Sequence, residues 1–201
     1  MPIEIKENKL LLVEGKDEEK FFEALFAHSQ LLGIQVAGIA GKTQLASRLK
    51  ALVQVHNFSQ VSSLAIVRDA DGNLDAAAKS VRSSLQGAGL AVPPSLGSRY
   101  GSNPTVAIFI MPDNVNVGML EDLCLNSIAG RPELDCVDDL IRCLQDKNIT
   151  LPPELSKARA HAYIATQQKP DLRVGEAAAA GYWPFGNSAF SSLKQFLNSC
   201  L

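Results

Sequence analysis

An α/β fold is what this 201-residue sequence predicts: a mainly parallel four-stranded sheet flanked by helices, followed by a helical C-terminal extension. Four short runs, 9–13 (KLLLV), 33–40 (GIQVAGIA), 61–68 (VSSLAIVR) and 105–111 (TVAIFIM), are largely apolar without strict alternation. Strands covered on both faces have this pattern. Segments with apolar residues at helical spacing lie between the runs, and such alternation favours a parallel sheet with right-handed crossovers. After Gly130 the strand-like runs stop and helical segments follow.

Each element has a local cause. The first run ends in Glu14-Gly15, where the glycine suits a tight strand-to-helix turn. Helix 17–28 then aligns Phe21, Phe22, Leu25 and Phe26. Its first turn holds Asp17, Glu18 and Glu19, where the helix dipole favours negative charge. Run 33–40 leads through Gly41-Lys42-Thr43 into a helix reaching about Val55, with Leu45, Leu49, Leu52 and Val53 on one face. Run 61–68 is followed by an alanine-rich helix, Leu74 to Leu85. Residues 87–104, rich in proline and glycine, form a loop placed to fold over the sheet. Beyond the fourth run, Gly118 to Ile128 reads as a helix, and so do 132–147, 153–167 and 188–197. The organisation is an α/β domain over 8–129 and a helical extension over 130–201, packed on the same core.

Composition narrows the function classes. The net charge is −2, so no overall attraction draws the chain to nucleic acid or to an anionic membrane, and polyanion binding must be local or metal-mediated. No apolar run approaches the ~20 residues of a membrane span. The polar start MPIEIKENK is unlike a signal segment, so a cytoplasmic protein is expected. Cys124, Cys136, Cys143 and Cys200 lack metal-site or disulfide-framework spacing and are expected as reduced, small buried hydrophobes. His28, His56 and His161 are scattered without ligand spacing.

The stretch LAIVRDADGN, Leu64 to Asn73, carries the chemistry. Asp69 and Asp71 are one residue apart, so they face one point if extended backbone continues to Asp71. Two carboxylates at one point repel unless a cation lies between them, and hard oxygen donors suit Mg²⁺ or Mn²⁺. Sites in open parallel sheets lie beyond the carboxyl ends of strands. Glu14 follows the first strand and Asp113 the fourth, with Glu121 and Asp122 shortly after. Any one such acid is more often a turn former or a cap. The coincidence of Glu14 with Asp69-x-Asp71 is what points to a site.

Gly41-Lys42-Thr43 has Val36 where a P-loop needs its first glycine, which excludes that motif. Lys42 is still placed to contact a phosphate near the acids. The turn Gly181-Tyr182-Trp183-Pro184-Phe185-Gly186 suits packing of the tail better than stacking on a base.

Leu11-Leu12-Val13-Glu14-Gly15 with Asp17, and Val67-Arg68-Asp69-Ala70-Asp71-Gly72, resemble the two signature motifs of the TOPRIM superfamily over about residues 8–125. The segment Gly118 to Asp122 and the helical tail resemble small stand-alone TOPRIM-related proteins close to the overcoming-lysogenization-defect (OLD) type nucleases. The resemblance implies a TOPRIM-like, Rossmannoid sheet, Asp69 and Asp71 holding Mg²⁺ (or Mn²⁺), and Glu14 as general acid/base or a further ligand. It also implies Glu121 and Asp122 as a second metal site and Lys169 as a phosphate contact. The expected function is metal-dependent phosphoryl transfer on DNA or RNA by a nuclease, with a protein partner as one source of nucleic-acid grip. One alternative is a non-catalytic adaptor in DNA repair or defence. A second is a haloacid-dehalogenase-like phosphatase, in which Asp69 would be the nucleophile and Glu14 would have no role.

Overall fold

The structure is a computed structural model, and it describes residues 3–201. Its sheet comprises β1 (Lys9–Val13), β2 (Ile34–Gly38), β3 (Ser63–Asp69) and β4 (Thr105–Met111). All pairings are parallel, in the order β2-β1-β3-β4. The helices are α1 (Lys16–Ser29), α2 (Leu45–Leu52), α3 (Leu74–Gly87), α4 (Leu120–Ser127), α5 (Pro132–Asp146), α6 (Leu155–Ala165), α7 (Val174–Ala179) and α8 (Ser191–Cys200).

Strand side chains alternate between two helical layers. Leu10, Leu12, Leu64, Ile66, Val106, Ile108 and Ile110 pack with Leu45, Leu49 and Leu52 of α2 and Val81 and Leu85 of α3. Leu11, Val13, Ala65, Val67, Ala107, Phe109 and Met111 pack under α1 and the helices that follow β4. Successive strand residues are apolar because both sheet faces are covered. The chain moves from β1 outward to β2, then back past β1 to β3 and on to β4. Keeping one crossover hand through that reversal places α1 on one face and α2 and α3 on the other.

Residues beyond 130 complete the α1 side. Leu134, Tyr163, Ile164, Val174, Trp183, Phe196 and Leu197 belong to the same buried cluster as Phe21, Phe22 and Phe109. The Phe109 and Phe196 rings lie 5.0 Å apart, and Phe21 and Phe185 5.5 Å. Trp183 is buried, stacks on Tyr163 and donates its Nε1–H to the Val174 carbonyl at 2.9 Å. The aromatic turn therefore serves packing.

Several details differ from the sequence reading. Residues 42–44 form a 3₁₀ turn and α2 begins only at Leu45. Ala40 and Gly41, with φ of 62° and 100°, have already taken the chain out of β2. Helix α7 was not expected. Its Gly175 lies so close to α1 that a Cβ there would stand 2.2 Å from the Asp17 carbonyl oxygen. Cys136 and Cys143 share a face of α5, but they are exposed, because that helix buries only Leu134 and Val137. The loop after α3 packs Leu90, Ala91, Val92 and Leu96 against the α2 and α3 side of the core, and it then runs along the outer edge of β4. Gly97 N–H donates to Ile108 and Tyr100 N–H to Val106, which occupies an otherwise open edge.

Candidate active site at the strand reversal

β1 and β3 are neighbours at the centre of the sheet, and their outgoing connections run to opposite sides. A crevice opens outside the carboxyl ends at such a reversal. Glu14 is the first residue past β1, Asp69 the last of β3, and Asp71 lies two residues on. The N-terminal ends of α1 and α4 bring Asp17, Glu18, Glu121 and Asp122 toward the same rim.

Glu14, Asp69 and Asp71 lie close enough to act on one another electrostatically. Extended backbone ends at Asp69, however. Asp71 is left-handed at φ 50°, and its main chain exchanges two 2.9 Å hydrogen bonds with Gly118. Its carboxylate is aimed by that turn rather than by strand alternation, and its Oδ2 meets Lys42 Nζ at 2.6 Å. Lys42 is brought there because Ile39 N–H donates to Val13 and Gly41 N–H to Glu14, tying the loop to the end of β1. Asp69 Oδ1 accepts the Leu120 N–H at 3.0 Å, which locks the end of β3 to the start of α4. Arg68 places Nε 3.5 Å from Glu14 Oε1 and donates from Nη1 to Ser80 Oγ at 2.8 Å. Neither Glu14 Oε1 nor Arg68 Nε, both buried, has a hydrogen-bond partner.

Burial, then repulsion from Glu14, Glu18, Glu121 and Asp71, pushes the Asp69 carboxyl well above the usual range. Burial also raises Glu14, against the opposing pull of Arg68 and with the help of Asp71 and Glu18. Glu121 is buried and raised for the same first reason. Its own main-chain N–H and Lys157 oppose the shift, while Glu18 and Asp17 add to it. Lys42 is raised by its hydrogen bond to Asp71 and by that residue's charge. The rim thus concentrates negative charge in poorly hydrated surroundings, the condition under which carboxyls retain protons or recruit cations.

The other acids named from the sequence divide. Asp122 Oδ2 accepts the Met119 N–H at 2.8 Å and Oδ1 accepts the Ser156 hydroxyl, so this side chain caps α4 and fastens α6 to it. Asp113 closes its own turn: burial opposes its charge, but the N–H groups of Asn116 and Val115 and the Asn116 amide outweigh that and lower its pKa. Lys169 stands between α6 and α7. Its main-chain N–H donates to Tyr182, and among the described residues no ion pair joins its ammonium to the acids. Arg68 and Glu18 had no assigned role. An arginine closing an otherwise apolar strand was the available signal for Arg68. Glu18 looked like ordinary helix-dipole compensation, and its Oε2 does accept the Gly15 N–H at 3.0 Å.

Beside the rim is a cleft of about 510 Å³, lined by Lys42, Asp71, Gly118, Met119, Glu154 and Ser156 among others. Among the described residues, no three acid, histidine or cysteine side chains stand ready-made as a metal cage. The donor chemistry nevertheless fits a hard divalent cation, and the orphaned Glu14 Oε1 is a buried oxygen without a hydrogen-bonding partner.

These features define an α/β protein with an acid-lined crevice where its parallel sheet reverses. The family described as "Protein of unknown function (DUF3226)" matches residues 8–201, and the chain belongs to it. No curated protein and no solved structure matched the chain.

Proposed function

We propose that this chain is a Mg²⁺- or Mn²⁺-dependent phosphoryl-transfer protein of TOPRIM type acting on nucleic acid, a nuclease. The observation that carries this reading is the meeting of Glu14, Asp69 and Asp71, from two separate strand ends, over one rim of the sheet. Asp69, Asp71 and Glu14 are the residues that would hold the ion, with Asp71 turning from Lys42 to do so. A bound divalent ion supplies charge stabilisation at phosphate and a more acidic water. Asp69 is oriented by the Leu120 N–H, a fixed partner of the kind that aims a ligand. Glu14, with its raised proton affinity, is suited to accept and return a proton at its carboxyl oxygens. Glu121 lies electrostatically close to Asp69 and Glu18 and is the better candidate for a second ion, since Asp122 is engaged in capping.

Asp69→Asn is expected to abolish Mn²⁺ binding, followed by the electron paramagnetic resonance of free Mn²⁺. It should also slow nicking of supercoiled plasmid about a hundredfold or more, the scale for losing one preorganised electrostatic group. Unchanged nicking would remove Asp69 from the chemistry.

A second reading, a non-catalytic adaptor, draws on the pairing of Asp71 with Lys42 and Glu14 with Arg68, which balances the acids without an ion. An adaptor predicts wild-type protein that neither binds Mn²⁺ nor nicks plasmid. The phosphatase reading is less well supported. Its nucleophile would be Asp69, whose carboxyl is closely surrounded by protein, raised in pKa and committed to Leu120.

A further inference from the structure

Among the described residues, two cations pair directly with Glu14 and Asp71, and they are held differently. The Arg68 side chain is 11% exposed and is held from two sides, by the Glu14 carboxylate and by Ser80 Oγ on α3. The Lys42 side chain is 51% exposed, borders the cleft, and has Asp71 as its one hydrogen-bonding partner among the described residues. Arg68 is a permanent charge of the site. Lys42 is a compact ammonium on a flexible stem, engaged through a single contact that water already reaches.

We propose that Lys42 is an exchangeable counter-ion, which neutralises Asp71 in the metal-free protein and becomes the phosphodiester contact when a divalent cation takes its place. The inference rests on the metal reading above and adds a regulated second role for one residue. The ammonium sits on Asp71 Oδ2 at 2.6 Å, and a divalent ion drawn to the same carboxylate would meet its like charge at close range, so the two compete for Asp71. The base of the Lys42 stem is fixed, because Gly41 N–H is bonded to the Glu14 carbonyl at 2.8 Å. Release therefore needs only side-chain rotation, toward a cleft whose other walls include Gly72, Gly118 and Ser156. Gly72 leaves open space there: a Cβ at that position would meet nothing within 4 Å. The displaced charge then faces the opening where a polyanion must enter, in a chain whose net charge of −2 provides no general attraction.

The test uses full-length wild type, Lys42→Met and Lys42→Arg. Mn²⁺ affinity is read from the paramagnetic resonance of the free ion. Phosphodiester contact is read from the ³¹P relaxation of dimethyl phosphate added to the Mn²⁺-loaded protein. Removing the competitor should tighten Mn²⁺ binding roughly two- to fivefold in Lys42→Met, the range set by an exposed ion pair. The same variant should lose most of the dimethyl phosphate relaxation enhancement, while Lys42→Arg stays near wild type in Mn²⁺ affinity. Equal or weaker Mn²⁺ binding by Lys42→Met overturns the exchange, and retained ³¹P enhancement in that variant overturns the phosphate role. Wild-type protein that binds no Mn²⁺ overturns the metal reading itself and this inference with it, a result distinct from failure of the exchange alone.

Discussion

Asp69 is the residue with the most at stake. Its carboxyl is surrounded by Glu14, Glu18, Glu121 and Asp71, and its proton affinity is raised in the folded state. The sign of the consequence follows from proton linkage. Below about pH 4 the carboxyl is neutral both folded and unfolded and has no effect. As the pH rises past that point, the unfolded chain releases the proton first, so metal-free stability falls until the native carboxyl also ionises. Glu14 and Glu121, raised in the same direction, contribute with the same sign. Asp69→Asn keeps an oxygen for the Leu120 N–H and removes the charge. We expect it to stabilise the metal-free protein at pH 7.5 by ~1–3 kcal/mol, the scale of a buried polar group whose desolvation is only partly compensated, and by much less at pH 5. Urea midpoints of the two proteins at both pH values provide the measurement. A variant less stable than wild type at pH 7.5 would contradict the electrostatic account. The substitution proposed above to end metal binding is thus expected to strengthen the metal-free fold, a common trade at functional sites.

At the scale of elements, the position of α1 decides where Glu14, Asp17 and Glu18 meet the rim, and α7 holds α1. Gly175 of α7 donates its N–H to Asp17 Oδ1 at 3.1 Å, and Lys20 pairs with Glu176 at 2.6 Å. A methyl group on Gly175 would stand 2.2 Å from the Asp17 carbonyl oxygen and 2.9 Å from Lys20 Cβ, and both neighbours are part of a helix that cannot yield locally. Gly175→Ala should therefore cost about 1–3 kcal/mol or more, the overpacking range, seen as a lower urea midpoint with an unchanged slope. Gly72→Ala, at a position with open space, should leave the midpoint close to wild type. Equal midpoints for the two variants would mean that the α1–α7 contact relaxes freely. Helix α7 was missed in the sequence because Ala177 to Ala180 resembles a featureless small-residue run. Its purpose is close approach, which leaves no hydrophobic periodicity to detect.

For the molecule as a whole, residues 130–201 supply most of one layer of the sandwich rather than an appendage. Phe196 covers Phe109 of β4, while Phe185 and Phe190 cover Phe21 of α1. A chain ending at residue 129 would leave those rings and part of one sheet face in water. We expect it to retain helical far-ultraviolet dichroism, to lose near-ultraviolet signal and to bind 8-anilinonaphthalene-1-sulfonate, as loosely packed states do. A cooperative, dye-free transition from that fragment would show that the α/β part folds alone.

The chain's local chemistry determined the elements and the identity of the acids. Runs such as KLLLV and TVAIFIM commit to buried strands, Phe21, Phe22, Leu25 and Phe26 commit to a buried helix face, and Glu14 and Asp69 follow strands. These are legible because periodicity and turn chemistry act between neighbours in sequence. Only the tertiary structure decided that β3 lies beside β1, which brings Glu14 to Asp69 across more than fifty residues. It also decided that Asp71 turns left-handed to meet Lys42, that Arg68 shields Glu14, and that Asp122 caps while Glu121 joins the cluster. The physical reason is that strand order, and the charges that share a poorly hydrated crevice, depend on which distant surfaces can be buried together, which nearest-neighbour patterns do not encode.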